Sequence, residues 1–341
     1  MAMKTARSFS AIVPVAGTGT RLRPHTNTYP KVLLTVGHKP ILGHILDQLS
    51  AIGAGRIYLV VGHLGVKIRE YVARAYPGLD VVYVEQTQPR GLGHAVWLAA
   101  AHIKGPVFIL LGDTILSADM RKFVKFRQDC IGVHEVADPR RFGVVETKGG
   151  CVSRLIEKPA RPSSNLAIVG AYSFRKCEQL YEHLSALMES GKTTRGEIQL
   201  TDAIMGMVAK GAGIRPVAID GWYDCGKPAA LLETNRYLLD RHRKELAVEV
   251  EGSLVRPPVY IAPTARITGS IIGPNASIGE GAKICDSIIS DSIINEKATI
   301  RRVVLGKSLI GPSAMLAGRG QQINIGENSE IYLDSSGDAG E

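Results

Sequence analysis

The chain has 341 residues, five cysteines, and 41 Lys/Arg against 32 Asp/Glu, a formal net charge of +9 with histidine neutral. With 45% hydrophobic and 21% charged residues and a mean hydropathy near zero, it has the composition of an ordinary folded protein, which excludes disorder, collagen or coiled coil as the main architecture. The length allows about two domains, each able to bury a core, and no apolar run approaches the ~20 residues that span a bilayer.

From the N-terminus, Lys4 and Arg7 precede the apolar stretch Phe9–Ala16, but Pro14 interrupts it and Gly17 continues into a loop motif, which argues against a signal peptide. Cys130, Cys151, Cys177, Cys225 and Cys285 are odd in number, widely separated and never in C-x-x-C spacing. They read as reduced thiols of a cytoplasmic protein. Residues 251–341 hold 8 Lys/Arg against 10 Asp/Glu, so the basic excess, +11, lies on residues 1–250. Its basic residues are scattered rather than striped, and no RNP, zinc-finger or basic-helix motif is present. The reading is therefore no nucleic acid and no membrane, with a small, highly phosphorylated partner instead.

From Ser10 to about Pro139, short β-branched runs (Ala11–Val15, Ile57–Val61, Val81–Val84, Val107–Leu111) alternate with helical patterns at Ile41–Ile52, Val66–Tyr76 and His94–Ile103. Such alternation predicts an α/β domain with a mixed, mainly parallel sheet, whose ligands sit in loops at the carboxyl ends of strands. Strands follow at Gly143–Glu146, Val152–Ile156 and Ala167–Phe174, with helices at Glu178–Met188, Ile198–Ala209 and Pro228–Arg243. Pro257-Pro258 marks the expected boundary of this unit.

Beyond it Ile272, Ile278 and Ile284 fall six apart, as do Ile294 with Ile300 and Ile310 with Leu316, among Gly, Ser, Asn, Asp and Pro. Segments beginning at Ser270, Ser287 and Val303 repeat at 17 and 16 residues. One aliphatic per six residues suits a triangular coil that places one branched side chain inside per side, here a left-handed parallel β-helix of hexapeptide repeats. A β-sandwich would need period-two alternation and aromatic core residues. The organisation read is an N-terminal extension (1–9), an α/β domain (10–245), a linker (246–260), the β-helix (261–334) and a disordered tail (335–341).

The first strand runs into Ala16-Gly17-Thr18-Gly19-Thr20-Arg21-Leu22-Arg23-Pro24, with Thr26 and Pro30-Lys31 following. A G-x-G-x-x-G fingerprint is excluded because Leu22 stands where the third glycine belongs, and no Gly-Lys-Ser/Thr of a P-loop follows. What remains is a small-residue turn whose backbone N–H groups can approach phosphate oxygens, with Arg21 and Lys31 supplying fixed positive charge. Gly17 to Lys31 match G-x-G-T-R-x-x-P-x-T-x-x-x-P-K at every specified position, and in this the chain resembles the sugar-1-phosphate nucleotidyltransferases over about residues 10–240.

The resemblance implies a Rossmann-like nucleotidyltransferase domain and roles for named residues. Arg21 and Lys31 would be catalytic, with Ala16, Gly17, Gly19, Thr20, Gln86 and Gly91 binding the nucleotide. Asp113, after the Val107–Leu111 strand, and Asp224, in Trp222-Tyr223-Asp224-Cys225-Gly226, would bind Mg²⁺, a hard ion that prefers oxygen ligands. Glu157 and Lys158 of Glu157-Lys158-Pro159 would hold the sugar and its phosphate, with Gly143 and Tyr172 lining that pocket. A solvent-facing ion pair is the ordinary reading of an isolated Glu-Lys pair, and a helix cap or turn that of a lone aspartate.

At Gln86 a carboxamide can donate to O4 and accept from N3–H of uracil or thymine, whereas a carboxylate would suit guanine, so UTP or dTTP is expected. His94 is read as structural rather than as a general base, because a sugar phosphate is already ionised near neutral pH. The implied reaction is in-line attack of a sugar 1-phosphate, glucose 1-phosphate by resemblance, on the α-phosphate, releasing pyrophosphate. Alternatives are a GTP–mannose-1-phosphate enzyme and a non-catalytic regulatory relative. The last histidine is His242, so the coils lack the histidine base of acyltransferase β-helices. Their flat faces are expected to serve self-association into a homo-oligomer.

Overall fold

A computed structural model describes residues 9–125, 128–244 and 249–318. The expected N-terminal extension (apart from Phe9), the tail 335–341 and the part of the coil assigned to 319–334 lie outside the described residues. In chain order the first lobe comprises β1 (Phe9–Pro14), two single-turn 3-10 helices (Thr20–Leu22 and Lys31–Leu33), the hairpin β2 (Thr35–Val36) and β3 (Lys39–Pro40), α1 (Ile41–Ala51), β4 (Ala54–Val61), α2 (Gly65–Ala75), β5 (Val81–Glu85), α3 (Leu92–Ala100), β6 (Val107–Leu110), β7 (Thr114–Ser117) and α4 (Arg121–Lys125). The second contains β8 (Cys130–Glu135), β9 (Gly143–Lys148), β10 (Cys151–Glu157), β11 (Leu166–Phe174), α5 (Cys177–Ser190), α6 (Leu200–Ala209), β12 (Arg215–Ala218), β13 (Gly221–Asp224) and α7 (Pro228–Arg241).

The large sheet has the order β10-β9-β11-β6-β1-β4-β5, with β8 on β11 and β12 on β8. Its β6-β1-β4-β5 half is parallel, while β11 runs antiparallel to β6. Alternate residues of β1 face opposite cores. Ala11 and Val13 join the layer beneath α1 and α2, and Ile12 the layer beneath α3, α5 and α6. All three are fully buried, as a parallel strand covered on both faces requires. The sheet is the mixed, mainly parallel one expected, with helix bounds shifted by one to three residues.

The coil consists of three four-stranded parallel sheets, the three sides of a triangular prism. This is the architecture expected of a left-handed β-helix. Its pairing steps are 17 or 16 residues, as in Leu254↔Ile271↔Ile288↔Val304, and Ile272, Ile278, Ile284, Ile289, Ile294 and Ile300 fill the interior. One corner carries a serine ladder. Ser270 N–H donates to Ser253 Oγ, Ser287 N–H to Ser270 Oγ and Val303 N–H to Ser287 Oγ, which satisfies backbone donors that the turn leaves unpaired. The first coil already begins at Leu254, inside the stretch read as linker, because Leu254-Val255 pairs with Ile271-Ile272. Pro257-Pro258 therefore turns a corner of the coil instead of dividing two domains.

The side built from Val259–Ile261, Ala276–Ile278, Ile293–Ile294 and Leu309–Ile310 packs on the α/β domain. Ile293 belongs to the latter's own core. Asn235 of α7 accepts from Gly37 N–H (2.8 Å) and donates to Asn275 O (3.1 Å), and the buried Ser277 hydroxyl lies 2.7 Å from both Gly37 O and Asn235 Oδ1. Arg236 forks onto Asp291. Farther along the coil Gly311 faces His25.

Candidate active site

The site forms where β1 and β6, adjacent in the sheet, release the chain at their carboxyl ends. After β1 the Val15–Gly19 loop turns into the Thr20–Leu22 helix, pinned by Thr26 Oγ1 donating to Gly19 O at 2.8 Å. Lys31 begins the next short helix and extends Nζ to Asp113 Oδ2 at 2.5 Å, its side chain only 10% exposed.

Asp113 and Asp224, 111 residues apart, are brought together by a two-stranded ribbon absent from the sequence reading. In it β7 pairs antiparallel with β13, placing Asp224 opposite Thr114, and Cys225 N–H donates to Asp113 O at 2.9 Å. Burial and the neighbouring Asp113 raise the pKa of Asp224, against the pull of Lys31, Arg21 and Arg141. Two neighbouring carboxylates that repel one another and offer hard oxygen donors fit a divalent ion such as Mg²⁺, whose remaining positions would go to water and phosphate oxygens.

Two clefts open onto this centre. The first, about 430 Å³, is lined by Ala16, Gly17, Gly19, Thr20, Arg21, Lys31, Gln86, Gly91 and Asp113 among others. The second, about 450 Å³, is lined by Arg21, Asp113, Gly143, Glu157, Lys158, Tyr172 and Asp224 among others. All the expected site residues thus border one cleft or the other, and the clefts share a wall of Arg21, Leu92, Leu111, Asp113 and Glu197.

In the first cleft Gly91 takes φ +107°, and a Cβ there would lie 2.7 Å from Ile198 O, so the loop closes against Glu197 and Ile198 only with glycine. The Gln86 carboxamide donates to Gly91 O at 3.2 Å, with His94 Nδ1 at 3.1 Å from the same nitrogen. In the second cleft Glu157 is held by Lys158 (3.3 Å) and by the hydroxyl of Thr201 (3.5 Å). Gly143 leaves it room, since a Cβ would come within 3.2 Å of Glu157 Oε2 and 2.9 Å of Ile168 Cδ1. Lys158 sits in left-handed backbone at φ +44°. Its N–H donates to Phe142 O, and its carbonyl accepts from Arg195 Nη2 at 2.7 Å.

Tyr172 is 3% exposed, and most of its ring is core. Burial first, and Glu157 second, raise its pKa, so the phenol stays protonated. Arg141, Phe142, Trp222, Glu197, Gln199 and Thr201 also line the second cleft. The first two directly precede Gly143 and could have been found from that glycine, whereas 197–201 carry no motif.

Residues 10–241 match the family model described as nucleotidyl transferase. A glucose-1-phosphate thymidylyltransferase of Streptomyces antibioticus is 32% identical over 95% of this chain and 99% of its own. A UTP–glucose-1-phosphate uridylyltransferase of Haloferax volcanii is 36% identical over 64% of this chain and 91% of its own. Among solved structures, a Bacillus anthracis protein assigned as a glucose-1-phosphate thymidylyltransferase, with sucrose bound, superposes with a TM-score of 0.60 at 26% identity, over 68% of this chain and 95% of that one. With the signature loop, the paired aspartates and the two joined clefts in place, the chain belongs to the nucleotidyl transferase family and is a sugar-1-phosphate nucleotidyltransferase carrying a C-terminal parallel β-helix.

Proposed function

We propose that the enzyme joins dTTP to glucose 1-phosphate, giving a nucleotide sugar and pyrophosphate. The observation that carries this is the shared wall. One cleft follows the phosphate-type loop and the other the Glu157-Lys158 turn, and they meet at Arg21 and Asp113. dTTP is favoured by the thymidylyltransferase of S. antibioticus, which matches through the coil. The uridylyltransferase of H. volcanii, which covers only 64% of this chain, supports UTP as the second reading.

The backbone of residues 16–20 and Lys31 would hold the triphosphate, while Glu157 and Lys158 would orient the sugar phosphate on the other side of the wall. A sugar-phosphate oxygen forms the new bond to the α-phosphorus as the α–β bridging bond breaks, and pyrophosphate carries away that electron pair. Arg21 and Lys31 would stabilise the charge spreading over the α-phosphoryl oxygens and leaving group. Asp113 and Asp224 would hold Mg²⁺, which supplies further charge neutralisation when bound. In this role the enzyme would work as a soluble protein, and among the described residues no helix is long and apolar enough to cross a membrane.

Pyrophosphate release over UTP, dTTP, CTP, ATP and GTP with several sugar 1-phosphates tests the proposal. Turnover is expected with dTTP and glucose 1-phosphate, and preference for GTP with mannose 1-phosphate would overturn it.

A further inference from the structure

The carboxamide of Gln86 has two N–H donors and one oxygen, and the fold uses both donors before any base arrives. Gly91 O can only accept, so the side-chain nitrogen must face it, at 3.2 Å. The same nitrogen lies 3.1 Å from His94 Nδ1, so Nδ1 accepts too and the ring keeps its proton on Nε2. His94 is 8% exposed on the first turn of α3, and burial, then Arg90, lower its pKa against a hydrogen bond to the Gln88 backbone, a balance on the side of the neutral ring that this contact needs. Among the described residues no donor reaches Gln86 Oε1, and Gln86 borders the first cleft.

We infer that His94 is a positioning residue for base selection: with Gly91 it locks the Gln86 carboxamide so that only its oxygen, an acceptor, faces the nucleotide base. This rests on the proposed nucleotide role of that cleft and changes the basis of selectivity. A carboxamide free to turn could donate to a ring nitrogen as readily as accept from one. A locked oxygen accepts the imino N–H of uracil, thymine or guanine and meets the bare lone pair of cytosine N3 or adenine N1 with repulsion. Guanine must then be refused by the dimensions of the cleft and not by Gln86.

The experiment compares kcat/KM for dTTP and UTP with that for CTP in the wild type, His94→Leu and His94→Asn. Leucine removes the acceptor and frees one amide proton, so the preference for UTP over CTP is expected to fall by about tenfold or more, the scale of one mismatched buried polar contact. Asparagine keeps an oxygen near the Nδ1 position and is expected to restore it. An unchanged UTP:CTP ratio in a folded His94→Leu enzyme overturns the inference. Should that variant fail to fold, ¹⁵N spectra of histidine-labelled wild type decide. A His94 ring protonated on Nε2, with the resonance identified by its loss in His94→Asn, supports the lock, and a ring protonated on Nδ1 overturns it. Absence of wild-type turnover with both UTP and dTTP would instead sink the underlying substrate reading.

Discussion

At the scale of single residues the candidate site is a concentration of opposite charges in little space. Arg21→Ala and Lys31→Ala are each expected to lower kcat by about 10²-fold or more, the usual effect of losing one charge-stabilising group, with the circular dichroism spectrum unchanged. Wild-type turnover in either would remove that residue from the chemistry. Asp224 works in the other direction on stability. Its raised pKa means that the folded state holds the proton more tightly than the unfolded chain. The ionised carboxylate therefore opposes folding at neutral pH, and that penalty is relieved as pH falls through the folded-state pKa. Asp224→Asn is expected to raise the melting temperature measured without divalent ions while abolishing pyrophosphate release, and added Mg²⁺ should stabilise the wild type more than the variant. A lower melting temperature for the variant would contradict this sign. Gly143→Ala pushes a methyl group toward Glu157 Oε2 and Ile168 Cδ1, so the KM for the sugar phosphate is expected to rise by about tenfold or more. An unaltered KM would place the sugar elsewhere.

Among the elements, legibility followed contiguity. The signature from Gly17 to Lys31 lies within one strand-loop-helix passage, and the parallel strands announce themselves as unbroken β-branched runs because both of their faces are buried. The ribbon of β7 and β13 gives no such signal. Each strand has four residues (Thr-Ile-Leu-Ser and Gly-Trp-Tyr-Asp), too short for a period, and their pairing joins the end of the first lobe to a late strand of the second. The convergence of Asp113 and Asp224 could therefore be taken from family resemblance but not from pattern. The strand Cys130–Glu135 carries no clear strand signal because Gly132 and His134 interrupt its apolar run. The wall residue Glu197 follows from how the 191–199 loop folds back onto Gly91. Gly221 shows how tightly the ribbon is drawn, since a Cβ there would lie 2.6 Å from Ser117 Cβ.

For the molecule as a whole, the coil is joined to the catalytic unit by buried polar groups as well as by apolar contact. Asn235 is fully buried and serves Gly37, Asn275 and Ser277 together. Asn235→Ala, which orphans the Gly37 N–H and the Asn275 carbonyl, is expected to destabilise the protein by about 2 kcal/mol or more in urea unfolding. A loss within experimental error would mean that the junction is solvated. For the same reason, deleting the chain from Val255 onward would strip Asn235 and Arg236 of α7 of their coil partners, and a change in mass could not be credited to assembly alone. Self-association is better examined with the coil intact. Leu254, Ile288 and Val304 are exposed in one row of an outward side, so Val304→Glu with Ile288→Glu is expected to lower the mass seen by light scattering. An unchanged mass would take that side out of any interface. The wall common to the two clefts has a kinetic corollary. In the proposed arrangement both substrates are seated across it before the bond exchange, and no side chain carries the nucleotidyl group between them. Initial rates measured while both concentrations are varied should therefore give reciprocal plots that intersect, the pattern of a ternary complex, and not the parallel lines of an enzyme that releases one product before admitting its second substrate.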